Sequence, residues 1–146
     1  MGEYVDISKC KDVVYQIIGS AMTVHRELGG GLLEPVYNDA LHLELLDKGI
    51  DNQSEVSIEC FYKHHKLEKH YRMDIVVGDI IVELKATDMI IPEFRLQLFN
   101  YLRLTRKTIG LLLNFSNDSL YGERYFYNRN TNECVLIDKS MEPVPR

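Results

Sequence analysis

The chain has 146 residues, 45% of them hydrophobic and 27% charged, with a formal net charge of −5. That length and apolar share suit a single globular domain around one core, spanning residues 1–146. The acidic balance argues against a protein that coats nucleic acid through a broad basic field, and no run approaches the about 20 apolar residues of a membrane span. The opening MGEYVDISKCKD has no apolar signal core, and Cys10, Cys60 and Cys134 show neither CxxC spacing nor a disulfide framework. A soluble protein of the reducing cytoplasm is the expectation.

In chain order, Val13, Val14, Ile17, Ile18, Ala21, Val24 and Leu28 recur at three and four, which predicts an amphipathic helix closed by Gly29-Gly30-Gly31. A second helix is predicted over 33–48, with Pro35 in its first turn, Val36, Tyr37, Leu41, Leu45 and Leu46 toward the core, and Gly49 as its stop. The texture then turns to strand: VSIECFY, LEKHYRMDIVV and IIVELKA form a meander, with turns at KHH and Gly78-Asp79. Ile91-Pro92 opens a third helix to about Thr105, TIGLLLNF reads as a buried strand and ERYFYN as the last one. The predicted order is ααβββαββ, an α/β fold, with a loose tail over 138–146.

Gly-X is the composition of a two-residue type II′ turn, and placing it at Gly78-Asp79 fixes a register. Val77 then faces Ile80, Ile75 faces Val82, and Asp74 faces Glu83, with Lys85 on the same side and Arg72 opposite it. Opposed carboxylates destabilise a sheet unless something offsets their repulsion. A divalent cation would, since Mg²⁺ favours one or two carboxylates with waters, and Lys85 beside it could act on an attacking water. The plainer alternative puts the acids on a solvated face screened by Lys85 and Arg72. Two basic clusters, Lys63 to Arg72 and Arg103, Arg106 and Lys107, are either solvated charge or local contacts for phosphates.

Asp74, eight intervening residues and Glu83-Leu84-Lys85 resemble the D…(D/E)xK signature of the PD-(D/E)xK nucleases. Gly31-Leu32-Leu33-Glu34-Pro35-Val36-Tyr37 resembles the GxxExxY motif of a small bacterial branch of that superfamily, and Asp74 departs from the superfamily pattern only in lacking a preceding proline. QLFNY resembles the QxxxY motif of RecB-like exonucleases. The resemblance implies a restriction-endonuclease-like core, a central mixed β-sheet flanked by helices, acting on DNA or RNA with Mg²⁺ or Mn²⁺.

It further implies that Asp74, Glu83 and the backbone carbonyl of Leu84 hold metal, that Glu34 assists, that Lys85 acts on water, and that Gln97 and Tyr101 line the cleft. Tyr37 is expected as packing or hydrogen-bond support. His25 stands among apolar residues and matches no defensible ligand spacing, so it is read as a core-edge histidine with a possible part in the site. His64 and His65 are expected in a turn. No GxGxxG, Walker A, GxSxG or HExxH motif is present. The rival to a nuclease is a catalytically weak or inactive module that binds nucleic acid or protein on the same fold, and a homodimer or protein partner is compatible with either.

Overall fold

The computed structural model describes residues 7–145, so the first half of MGEYVDISKCKD and Arg146 lie outside the described residues. A short 3-10 turn leads into α1 (Lys11–Leu28), α2 (Glu34–Asp47), β1 (Gln53–Tyr62), β2 (His65–Val77), β3 (Ile80–Lys85), α3 (Pro92–Thr105), β4 (Ile109–Asn114), β5 (Tyr121–Asn128) and β6 (Glu133–Ile137). The order is therefore ααβββαβββ, one strand longer than the sequence predicted. The extra strand, ECVLI, is a five-residue edge strand with little buried surface, so neither alternation nor an apolar run announces it.

The strands form one sheet in the order β1-β2-β3-β4-β5-β6. Only the central β3–β4 pair is parallel, because α3 carries the chain across between them. The sheet is thus mixed and flanked by helices: α1 and α2 pack one face through Val14, Ile17, Ala21, Tyr37, Leu41 and Leu45 against Ile75, Val82, Leu84 and Leu111. On the other face α3 sets Leu98, Tyr101 and Leu102 against Val76, Ile81 and Leu112. Gly110 permits that close seat, since a Cβ there would stand 2.9 Å from the Leu98 and Leu102 side chains.

The Gly78-Asp79 hairpin has the two-residue register read from the sequence, Val77↔Ile80, Val76↔Ile81 and Ile75↔Val82, with Gly78 at φ +55°. Helix α2 corrects a different expectation. Val36 and Leu46 are exposed, and the buried stripe is Tyr37, Asn38, Leu41 and Leu45. The four-residue spacing of Tyr37, Leu41 and Leu45 sets the face that meets the sheet, and Val36 and Leu46 fall to its flanks.

The tail expected to be loose is instead tied back over most of its length. Asp138 Oδ1 accepts the Ser140 and Glu142 backbone N–H groups, Met141 is buried in the core, and the Val144 N–H donates to the Leu136 carbonyl at 2.9 Å. A side-chain acceptor and one apolar anchor suffice to close this turn, and neither has a periodic signature. Among the described residues no helix is long and apolar enough to cross a membrane.

Candidate active site

The β2–β3 ladder stops at Ile75↔Val82, one step before Asp74 and Glu83. The β1–β2 ladder is broken at the same level, where Glu55 takes φ +55° and Asp74 is unpaired. The backbone of Asp74 is thus released by both neighbours. The side chains take over: the Asp74 N–H donates to Glu83 Oε1 at 3.0 Å, and the Leu84 N–H donates to Asp74 Oδ2 at 2.9 Å. Each carboxylate accepts an amide of the opposite strand, which replaces the missing ladder bonds with charge-assisted ones.

This interlock resolves the repulsion expected of the pair only in part. Glu83 is 2% exposed. Burial foremost, and then the charge of Asp74, hold its carboxyl well above the usual carboxylate range, against the opposing Asp74 amide and the Lys85 charge. The Leu84 N–H points toward Asp74, and in an extended strand the carbonyl of the same residue projects to the same edge. The open step between β2 and β3 therefore gathers two carboxylates and one main-chain oxygen.

Lys85 stands at the end of β3, where its Nζ donates to Gln97 Oε1 at 3.0 Å and lies 4.5 Å from the centroid of the Phe94 ring. Phe94 and Gln97 are three apart on α3 and present one face to the lysine. Arg72, expected opposite Lys85, is not there: β2 has left β3 by that point, and Arg72 is exposed and pairs with Ser57 on β1. Tyr101, one turn beyond Gln97, feels the same acids. Burial, with the charges of Glu83 and Asp74, pushes its hydroxyl up to about 12 against a hydrogen bond with Gln97.

Glu34 is the first residue of α2, followed by Pro35, and it stands half-buried at this end of the sheet. Burial raises its carboxyl, the Asp74 charge raises it further and Lys85 partly offsets both. Tyr37 places it. The Tyr37 hydroxyl donates to the Gly29 carbonyl at 2.6 Å and accepts the Leu32 N–H at 3.1 Å, while its ring stacks on Phe115 at 4.7 Å between centroids. The loop from Gly29 to Leu33 is thereby stapled to the helix that starts with Glu34, and Gly30 passes so close to β4's exit that a Cβ would meet the Ser116 carbonyl oxygen at 2.6 Å.

His25 is drawn away from this group. Its Nε2 donates to the Asn117 carbonyl at 2.8 Å and its ring tilts against Phe115, the arrangement of a satisfied core-edge histidine. His64 sits in the tip turn between β1 and β2, and His65 opens β2. Two features around the site had no sequence signal. Asn114, paired with Lys85 across the parallel ladder, accepts the Thr87 N–H and donates to the Thr87 carbonyl, fixing the chain as it leaves β3. Arg95 clamps α3 to β5 through two 2.8 Å bonds to Glu123, which also accepts the Tyr121 and Tyr125 hydroxyls. Both rest on pairings between distant segments.

Among the described residues no three His, Cys, Asp or Glu side chains are grouped to hold a metal ion. The donor chemistry of the open step nevertheless fits a hard divalent cation. Two adjacent carboxylates, one buried with its pKa raised, and a carbonyl edge supply oxygen ligands, and Mg²⁺ commonly takes one or two carboxylates with waters completing its shell.

No curated protein matches the chain. The fold resembles a solved structure described as "Crystal structure of SSO0001", at 18% identity and a TM-score of 0.51, over 80% of this chain and 59% of that one. At that identity the likeness concerns the fold, and the chain spans about three fifths of the other's length. The family model described as the PD-(D/E)XK nuclease superfamily matches residues 11–125, from the start of α1 into β5, and so includes Asp74, Glu83 and Lys85. By that match the chain belongs to the PD-(D/E)XK nuclease superfamily.

Proposed function

We propose that the protein is a Mg²⁺- or Mn²⁺-dependent nuclease that hydrolyses phosphodiester bonds of DNA or RNA, of the GxxExxY branch of its superfamily. The observation that carries this reading is the interlocked Asp74–Glu83 pair at a released step of the sheet, with Lys85 held beside it by Gln97. Asp74, Glu83 and the Leu84 carbonyl would hold the metal, and Glu34, at the start of α2, would assist. A divalent cation so bound supplies a water of lowered pKa and offsets charge on the phosphoryl oxygens.

The chain's own contribution is positional. Gln97 accepts from Lys85 and fixes its side chain at the end of β3, where the ammonium can orient the attacking water or, as the neutral amine, take a proton from it. Phe94 covers one side of that ammonium in a cation–π contact. Tyr101 keeps its proton at neutral pH and so offers a hydroxyl donor to the cleft, in the manner of the QxxxY motif.

A second reading keeps the fold without useful catalysis, as a module that binds nucleic acid or a protein. One observation favours it: the acids already accept backbone amides, so the sheet is closed without any ion. The test is cleavage of labelled single- and double-stranded DNA and RNA by wild type and Lys85→Ala, with Mg²⁺, Mn²⁺ or EDTA. Metal-dependent cutting that the variant loses supports the nuclease. Metal binding without cutting of any substrate supports the module.

A further inference from the structure

The β1–β2 ribbon outgrows the sheet. Its two strands have ten and thirteen residues against six in β3 and β4, and every residue from Phe61 to Arg72 is exposed. A two-stranded ribbon without a packed face contributes little to folding. Its composition is also unlike the rest of the chain. In a protein of net charge −5, the stretch from Glu59 to Arg72 carries Lys63, Lys66, Lys69 and Arg72 against Glu59 and Glu68, with His64, His65 and His70 between them.

Aromatic rings are interleaved with these charges. Phe61 and Tyr62 are 59% and 61% exposed at the ribbon's tip, with Lys63 Nζ lying 5.4 Å from the Tyr62 ring centroid. One cation is already engaged, since Lys66 pairs with Glu59 at 2.9 Å. At the ribbon's base, half-exposed Tyr71 tilts against Tyr101 with 5.9 Å between centroids, and Tyr101 is the residue that senses the Asp74 and Glu83 charges. Successive residues of a strand face opposite sides, so the face that carries Tyr71 also carries Lys69 and, opposite His65, Tyr62, and it leads from the tip to Tyr101 beside the acid pair, while Arg72, Lys66 and Phe61 line the reverse face.

We propose that this ribbon is an arm that grips single-stranded nucleic acid, its cations along the phosphates and Phe61 and Tyr62 beneath unstacked bases, and that it feeds the strand past Tyr71 toward Asp74 and Glu83. Single strands fit better than duplex because the bases of a duplex are stacked on one another and offer no faces to exposed rings. Charge alone would serve either form; the rings decide between them. The inference names a substrate class for the nuclease reading and rests on it for the site the arm serves, not for the binding itself.

The experiment is fluorescence anisotropy in EDTA, so that nothing is cut, with a labelled DNA strand of about 20 nucleotides and its duplex, long enough for one domain. Wild type is compared with Lys63→Ala/Lys69→Ala/Arg72→Ala and with Phe61→Ala/Tyr62→Ala. All five positions are exposed, so melting temperatures serve as the folding control. Wild type is expected to prefer the single strand by at least about tenfold, with the aromatic variant losing roughly 5- to 100-fold of single-strand affinity. The cationic variant is expected to flatten the salt dependence by about two counterions, at about 0.7 per phosphate contact. Equal or tighter duplex binding, or folded variants that bind as wild type, overturns the arm. Cutting by wild type but not Lys85→Ala with Mn²⁺ is scored separately: binding through the ribbon without cutting sinks the nuclease reading alone, and cutting indifferent to the ribbon sinks the arm alone.

Discussion

The Tyr37 hydroxyl bridges two points of the glycine loop, donating to the Gly29 carbonyl at 2.6 Å and accepting from the Leu32 N–H at 3.1 Å. Since Tyr37 is itself fully buried on α2, three residues after Glu34, it transmits the rigidity of the core to the position of that acid. Tyr37→Phe keeps the stack on Phe115 but leaves the loop groups without their partner. The expected loss is about 1–3 kcal/mol of stability, read by urea unfolding, together with weaker Mn²⁺ binding by calorimetry. A variant as stable as wild type and equal in metal affinity would refute the staple.

The lysine and its glutamine should separate in kinetics. Lys85→Ala is expected to lower single-turnover cleavage by roughly 10² to 10⁴, the range of a general acid–base group. Gln97→Ala leaves the ammonium present but unfixed, and about tenfold is expected. Equal losses in the two variants would mean that Gln97 does more than orient Lys85.

Glu83→Gln should trade chemistry for stability. Removing a carboxylate that burial and Asp74 both disfavour is expected to leave the metal-free protein as stable as wild type or more so. Mg²⁺ or Mn²⁺ at about 100 times its dissociation constant should stabilise wild type by about 2.7 kcal/mol. In the variant that gain should vanish. Thermal melts with the metal and with EDTA measure both halves, and a metal-induced shift of wild-type size in Glu83→Gln would remove Glu83 from the ligand set.

Glu123 gives the fold an acid-sensitive fastening. Burial alone would raise its carboxyl, but the bonds from Arg95, Tyr121 and Tyr125 outweigh it and hold the pKa at about 2. A carboxyl depressed in the folded state adds stability that is fully present above its unfolded value and is lost as pH falls through the folded one. With an unfolded value of about 4.3, that contribution is about 3 kcal/mol, lost between about pH 4.3 and pH 2. Unfolding free energies at pH 7, 5, 4 and 3 should show the decline, and Glu123→Gln should flatten it. An unchanged slope in the variant would place the acid sensitivity elsewhere.

Gly30→Ala tests the close pass of the loop over Ser116. The added Cβ would stand 2.6 Å from a backbone oxygen, which cannot rotate away, so loop or strand exit must shift. Destabilisation of about 1–3 kcal/mol is expected, visible as a lower melting temperature.

What could be read in the sequence follows the range of the interactions involved. The Gly78-Asp79 turn, the register behind it and the three helices rest on neighbours in the chain, and the structure has them nearly at the expected bounds. Asp74, Glu83 and Lys85 stand out as candidates because that register is local and brings the two acids to neighbouring strands. The departure of β2 from β3 could not be read in this way, because it falls where the β1–β2 pairing also lapses at Glu55, a residue beside Asp74 in the sheet but far from it in the chain. For the same reason Arg72 was misplaced, while Asn114 and the Arg95–Glu123 clamp, which join distant strands and helices, left no trace. Strand β6 and the tied-back tail show the other limit: short edge segments held by one buried residue and a few turn bonds have no period to detect.

The bonds that close the open step of the sheet run through Asp74 and Glu83, whereas Lys85 contributes none of them. The two kinds of residue are therefore unequal in what a substitution removes. Replacing either acid by a side chain without an acceptor oxygen, such as alanine, unfastens β2 from β3 as well as stripping a ligand, but replacing the lysine silences the reaction and leaves the clasp intact. A descendant of this chain that drifted from cutting to mere holding would have its easiest route at position 85, with the acids kept in place as joinery.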